Sequence, residues 1–550
     1  MGTTVFRNGA VFCADAARTT ASAVAVRDGV VVAVGGDAEV ATYVASADDV
    51  VDLSGQLLVP GFVDAHVHPV MGGVERLRCD LTAGETIDDY VATIHEYAAR
   101  SSQPWVLGGG WSMSAFPGGC PSKEVLDDVV PDRPVYLPNR DHHSAWVNTL
   151  ALELAGIDET TTDPVDGRIE RDAHGCPTGT LHEGAANLVA RLVPPDTQRD
   201  MDDGLREAQR YLHSLGVVGW QDAMVDVGGS GASPHEAYLR AQEEGWLTAR
   251  VSAALWWDRT CPRDGIADQV AALAKLRDEV ACLGNRYRAP TVKVMLDGVA
   301  ETHTAAMLEP YLDRCGHPTG NTGMSFLDAT LAAEVTTALD AAGFQVHFHA
   351  LGDRAVRDAL DALSLARAVN GTADRRHHLA HVQLVHPDDV PRFRPLAATA
   401  NIQALWATHE PQMDELTIPF LGTQRARRQY PFGDLFRAGA TLAMGSDWPV
   451  STPDPLAAIH VAVNRVHYGA APGASPLGQP QALPLQVALS TYTAGSAWVS
   501  QLNQWTGTIA VGRPADLVVL DRDPFDVSPD QIGSTAVERT YVDGHLVYRA

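Results

Sequence analysis

The chain has 550 residues, 45% of them hydrophobic and 20% charged, with a formal net charge of −27. That length exceeds what one core usually serves, so more than one domain is expected. The acidity argues against a nucleic-acid partner and against an anionic membrane surface. The seven cysteines form no C-x-x-C pair, and their odd number suits reduced thiols better than a disulfide framework. No basic stretch leads into an apolar one at the N-terminus, and no apolar run reaches a membrane-spanning length. The expectation is a soluble cytoplasmic protein with no nucleic-acid or membrane partner.

Residues 3–58 read as short strands and turns. Asn8-Gly9 is a turn signal, and Asp28-Gly29 between two valine-rich runs is a hairpin signal. The C-terminal end has the same character in Ala515-Asp-Leu-Val-Val-Leu520 and Tyr541-Val-Asp-Gly-His-Leu-Val-Tyr548. One small β-sandwich built from both ends, residues 1–58 plus 505–550, is the economical reading. Val59-Pro-Gly-Phe-Val-Asp-Ala-His-Val-His68 then opens the large domain. Side chains alternate along a strand, so Asp64, His66 and His68 share a face. Two imidazoles at one strand end suit a metal ion bound through neutral ring nitrogens.

Strands and helices alternate beyond that point. Strands are predicted near Val217, Ala249, Pro290, Phe344, His377, Thr399 and Ala440, which with Gly61–His66 makes eight. Helices are predicted over 262–282, 328–342 and 353–369. Gly216, Gly343 and Gly439 stand just before strands, where helix C-caps belong. The predicted fold is therefore α/β, a TIM-type (β/α)8 barrel whose chemistry lies at the C-terminal ends of its strands. The barrel is assigned to residues 59–81 plus 196–504. Residues 82–195 are too long for one crossover and read as an insertion after the first barrel strand, covering the barrel mouth.

Metal-type side chains recur at those strand ends. His347 and His349 end the fifth strand, His381 ends the sixth, and Asp447 follows the eighth. Lys293, one of only three lysines, lies inside the apolar fourth strand. Its ammonium would repel cations there. A neutral lysine amine can instead take up CO2 as a carbamate, an anionic ligand able to bridge two ions. Either Lys293 is carboxylated or a two-metal reading fails.

Taken together, Pro60-Gly-Phe-Val-Asp-Ala-His-Val-His68, Val292-Lys-Val-Met-Leu-Asp-Gly298, His349-Ala-Leu-Gly-Asp-Arg-Ala355, His381-Val-Gln-Leu384 and Gly445-Ser-Asp-Trp-Pro449 carry a resemblance. So do Gly108-Gly-Gly-Trp111 and Asp141-His-His-Ser-Ala-Trp-Val-Asn148. The chain resembles the amidohydrolase superfamily and, within it, the amidohydrolase-3, YtcJ-like group that includes N-substituted formamide deformylase. The resemblance spans nearly the whole chain and specifies no substrate. It implies that His66, His68 and Asp447 hold the more buried of two divalent ions, with zinc the default, and that His349 and His381 hold the other. Carboxylated Lys293 and a hydroxide would bridge them. Asp447 would act as general base and then general acid.

The reaction implied is cleavage of a C–N amide bond in an N-substituted formamide or N-acyl amine. A hydrolytic deaminase is the nearest rival, but such enzymes place a Glu three residues after the strand-five His, where this chain has Gly352. A cyclic-amide or ester hydrolase would use the same machinery. A non-catalytic scaffold would be expected to lose ligands, and here the set is complete. Trp111, His143, Asp297, His347 and Trp448 are the candidate substrate-binding residues. The partner is a small-molecule amide, and a homodimer is the family-level expectation.

Overall fold

The computed structural model describes residues 2–164, 167–225, 232–471 and 473–550. Its centre is an all-parallel sheet of eight strands. In chain order these are β1 (Phe62–Val67), β2 (Val217–Val225), β3 (Arg250–Trp256), β4 (Tyr287–Met295), β5 (Gln345–Ala350), β6 (His378–His381), β7 (Thr399–Ile402) and β8 (Thr441–Met444). Each pairs with the next in sequence. The segment after β8 meets β1, where the Asp447 amide donates to the His66 carbonyl at 2.7 Å and the His68 amide to that of Trp448 at 2.8 Å. Asn401 Nδ2 adds a bond of 2.8 Å to the Ala65 carbonyl. The α/β TIM-type fold expected from the sequence is the one observed.

Nearly every strand residue is buried, as parallel strands wrapped by helices must be. The polar residues inside the barrel bond to one another. Gln221 Nε2 donates to Thr291 Oγ1 and Gln345 Oε1, both at 3.2 Å, and Thr291 donates to the same Gln345 oxygen at 2.6 Å. Each such bond spares a buried group the desolvation cost of an orphaned polar atom, about 1–3 kcal/mol, although Gln221 Oε1 itself has no partner among the described residues. The predicted helices appear as Ile266–Ala281, Ala329–Ala341 and Asp353–Asn370. Asp328 caps the second, accepting from the amides of Thr330 and Leu331, both at 2.9 Å. Gly343 ends that helix with φ +89°, a left-handed conformation that costs a side-chain-bearing residue energy.

The chain termini pair with each other. Leu57–Pro60 runs antiparallel to Leu517–Leu520 in a six-stranded sheet, and a four-stranded sheet from residues 3–52 packs beside it. Phe6, Val11, Val24, Leu58, Val519 and Tyr541 lie in the core between them. Asp28-Gly29 makes the hairpin between Ala23–Arg27 and Val30–Gly35. Asn8 also takes a positive φ of 64°, but the strands on either side of it enter different sheets. A fourth sheet, of six strands between Cys79 and Glu183, lies mostly in the insertion and has its own cores. Among the described residues no helix is long and apolar enough to cross a membrane.

Candidate metal centre

The C-terminal ends of the barrel strands open into a cleft of about 980 Å³. His66, His68, Lys293, His349, His381 and Asp447 all face it. His66 Nε2 lies 3.2 Å and His68 Nε2 3.1 Å from the same Asp447 oxygen. Lys293 Nζ is 3.5 Å from His66 Nε2. The ring centroids of His381 stand 4.8 Å from His66 and 4.6 Å from His349. Residues up to 381 positions apart in sequence thus converge because a barrel brings its strand ends to one rim. Strain accompanies the arrangement: Asp447, His381 and Val382 have φ of 58°, 77° and 40°, unfavourable for side chains with a Cβ.

The electrostatics favour neutral imidazoles and an ionised carboxylate. Burial pulls His66 down to about 3, with Lys293 adding to the effect, and takes His347, His378 and His381 well below the ordinary histidine value. Burial alone would raise Asp447, but His66 and His68 outweigh it and hold the carboxyl well below the usual range. Lys293, 3% exposed, is brought down to about 8 by burial, partly opposed by Asp447. Neutral ring nitrogens around a carboxylate are a ligand set for a divalent transition ion. The buried Nδ1 atoms of His68 and His381 have no hydrogen-bond partner. The residues present therefore fit a metal.

Supporting residues hold these side chains in place. Asp297 Oδ1 lies 3.2 Å from His349 Nδ1, and the Asp297 carboxylate also accepts from the amides of Ala306, Leu351 and Gly352 at 2.8–3.1 Å. It orients the His349 imidazole and does not line the cleft. His347 Nε2 meets His66 Nδ1 at 2.9 Å and is likewise absent from the cleft wall. Asp64 does not join the cluster that strand alternation suggested. It accepts from the amides of His66 and Ser446, each at 3.0 Å, and from the Tyr492 hydroxyl at 3.2 Å, and so fastens the loop that carries Asp447.

The insertion lines the cleft through residues such as Thr82, Ser112, Arg140 and His143. His143 Nδ1 lies 3.0 Å from Glu183; burial lowers its pKa, but Glu183 and Asp141 outweigh that and carry it up to about 9. Trp448 also lines the cleft. Trp111 requires a correction. It is fully buried in the insertion's own core, its indole N–H on the Leu137 carbonyl at 2.8 Å, and packs edge-on against Phe116 and Trp146. Its neighbour Ser112 faces the cleft instead, because adjacent residues of an extended segment point to opposite sides.

Several cleft residues were not foreseen. Trp406 stacks on His381, centroids 5.4 Å apart and planes 9° from parallel, and Glu301 lies on the wall with its carboxyl pushed up to about 7 by burial. Gln403, which does not itself line the cleft, accepts from the His381 amide at 2.7 Å. No local motif marks them. His378 is fully buried with its ring 4.1 Å from that of His347.

Residues 49–548 match the amidohydrolase family model. The chain belongs to the amidohydrolase family. It is 30% identical to the protein LONG AFTER FAR-RED 3 of Arabidopsis thaliana, over 98% of this chain and 91% of that one. It is also 30% identical to the putative amidohydrolase YtcJ of Bacillus subtilis, over 96% of each, and 28% identical to the N-substituted formamide deformylase of Arthrobacter pascens, over 98% of this chain and 97% of that one. Among solved structures, an uncharacterized metal-dependent hydrolase from Pyrococcus horikoshii superposes with a TM-score of 0.73 at 24% identity, over 96% of this chain and 99% of that one. That likeness bears on the fold.

Proposed function

We propose that this chain is a metal-dependent hydrolase of the amidohydrolase family that cleaves the C–N bond of a small N-substituted formamide or N-acyl amine. The observation that carries the reading is the convergence of His66, His68, Lys293, His349, His381 and Asp447 on one cleft. His66, His68 and Asp447 would hold one divalent ion, taken as zinc, and His349 with His381 a second. Lys293 would be shared as a carbamate, formed when its neutral amine adds CO2 and releases a proton; burial favours that neutral amine. Bound there, the ions would make a water acidic near neutral pH and polarise the scissile carbonyl.

The rest falls to the chain's own groups. Asp447, ionised and placed against His66 and His68, accepts the proton of the attacking water and returns it to the leaving amine as the C–N bond breaks. The products are a carboxylate and an amine. Trp406, Trp448, Met71 and Met295 offer an apolar surface for the N-substituent. Two observations favour amide hydrolysis over deamination. A Cβ on Gly352 would lie 1.9 Å from the Ala306 carbonyl, so no glutamate fits at that position. The formamide deformylase relative supplies the substrate class. A cytoplasmic homodimer completes the reading.

The test is a hydrolysis screen over N-formyl, N-acyl and cyclic amides and 6-aminopurine deaminase substrates, run beside metal analysis of the purified protein. Turnover of N-formyl or N-acyl amines with about two transition ions per chain is the expected result. Release of ammonia from the aminopurines alone would overturn the amide reading.

A further inference from the structure

A second group of metal-type side chains lies inside the insertion. Cys120 follows the turn Pro117–Gly119, Glu170 is on the strand Gly167–Arg171, and His182 is on the strand Pro177–Glu183. Cys120 Sγ lies 3.9 Å and Glu170 Oε1 3.1 Å from the same nitrogen, His182 Nε2. One donor atom from each lies within 4.8 Å of the other two. A tetrahedral zinc would set its sulfur, nitrogen and oxygen ligands about 3.4–3.6 Å apart, and the two measured separations bracket that range.

The sharing of one nitrogen is informative. A nucleophile–histidine–acid triad would use the two ring nitrogens separately, one toward the thiol and one toward the carboxylate. Here both groups turn to Nε2, and Nδ1 lies 2.8 Å from Ser144 Oγ. An Nδ1–H donated to Ser144 leaves the Nε2 lone pair aimed at the point that the thiol and the carboxylate also face, as in metal-bound histidines held by an outer hydrogen bond. His182 is only 8% exposed, while Cys120 and Glu170 are half-buried, so an ion has an approach.

We propose that Cys120, Glu170 and His182 form a zinc site in the insertion, separate from the barrel cluster, that pins the Cys120 turn to the sheet behind the cleft wall. On binding, the Cys120 thiol releases its proton to solvent and its sulfur bonds the ion. The placement links the site to the cleft. Ser144 pairs with His182 across two strands, and the adjoining His143 and Glu183 pair with each other on the opposite face. His143 lines the cleft, as do Ser112 and Ser114 a few residues before Cys120. Zinc would fix both from behind. Arg168 competes, since it pairs with the same Glu170 oxygen. This inference does not rest on the proposed function.

Cobalt(II) loading of the full-length protein tests it. The barrel cluster offers nitrogen and oxygen donors, and none of the cysteines lines the cleft. A near-ultraviolet thiolate-to-cobalt band therefore reports a cysteine site alone. The band is expected in the wild type, lost in Cys120→Ser and retained in Cys315→Ser. Cys315 is the control because it lies in an exposed turn with Asp313 and His317. Should Cys120→Ser fail to fold, Ser144→Ala serves, with zinc affinity at this site expected to fall about 10–100-fold. Arg168→Ala is expected to raise it. A wild type with no band at saturating cobalt, a band that survives Cys120→Ser, or unchanged zinc affinity in Ser144→Ala would overturn the proposal.

Discussion

The two ends of the barrel treat buried polar groups in opposite ways. At the N-terminal end the buried charges are paired with opposite charges. Arg250, 4% exposed, donates to both oxygens of Asp516 at 2.7 and 3.3 Å and pairs with Asp543, which also pairs with Arg286. His213 bonds the Val217 carbonyl and Thr248 Oγ1, both at 2.8 Å. The arginine–aspartate pairs fasten the barrel to the sheet formed by the termini. At the C-terminal end, imidazoles, an amine and a carboxylate crowd together with ring nitrogens left over. Unmatched buried groups are costly, and a cluster of them that faces a cleft is one that a ligand can complete. One end is built for stability and the other for chemistry, as barrel enzymes divide the work.

The comparison breaks most sharply at Lys293. Lys293→Ala should lose all measurable turnover and its bound metal, with the far-ultraviolet circular dichroism unchanged; a variant that keeps two ions per chain sinks the carbamate. Asp447→Asn should lower kcat by about 10²–10⁴-fold, the usual worth of a general acid–base, while keeping most of the metal. Turnover within tenfold of wild type would remove Asp447 from the proton transfers. At the other end, Arg250→Ala should cost about 3–5 kcal/mol in urea unfolding, because it strands Asp516 in the interior. Its kcat per folded molecule should stay near that of wild type.

Smaller effects sharpen the contrast. His347→Ala should weaken metal binding about 10–100-fold, because His66 loses the group that orients its ring. Equilibrium dialysis against zinc would measure this, and unchanged affinity would make His347 mere packing. A further effect is one of pH. Burial lowers His213 to about 4 in the folded chain, against about 6.5 when unfolded. The native state binds fewer protons, so stability is full above pH 6.5 and is lost as pH falls toward 4. Between about pH 7 and about pH 4.5, wild type should lose more unfolding free energy than His213→Gln. Equal losses in the two proteins would contradict the shift.

Much of the architecture was legible in the residues themselves. Apolar runs of strand length, three of them with Gly216, Gly343 or Gly439 just before at positive φ, mark strands that follow capped helices. Those signals are local, and the structure keeps all eight strands near their predicted positions. The ligand-type residues were legible for the same reason: a barrel has only one rim where strand ends meet. The supporting residues were not. Asp297 reads as a candidate substrate contact until the fold brings His349 to it, and Tyr492 cannot be connected to Asp64 from 428 positions away.

The sequence by itself determined that eight parallel strands would form and which strand ends would carry imidazole, amine and carboxylate groups, because periodicity and turn chemistry act over a few residues. Only the tertiary structure decided which way the insertion's side chains face. It turned Trp111 into a core and Ser112 toward the cleft, and it gathered Cys120, Glu170 and His182 around one point. The physical reason is that burial of apolar area sets the inward face of a loop only once its packing partner is present. Distant groups then meet through strand register, which no short stretch of sequence contains.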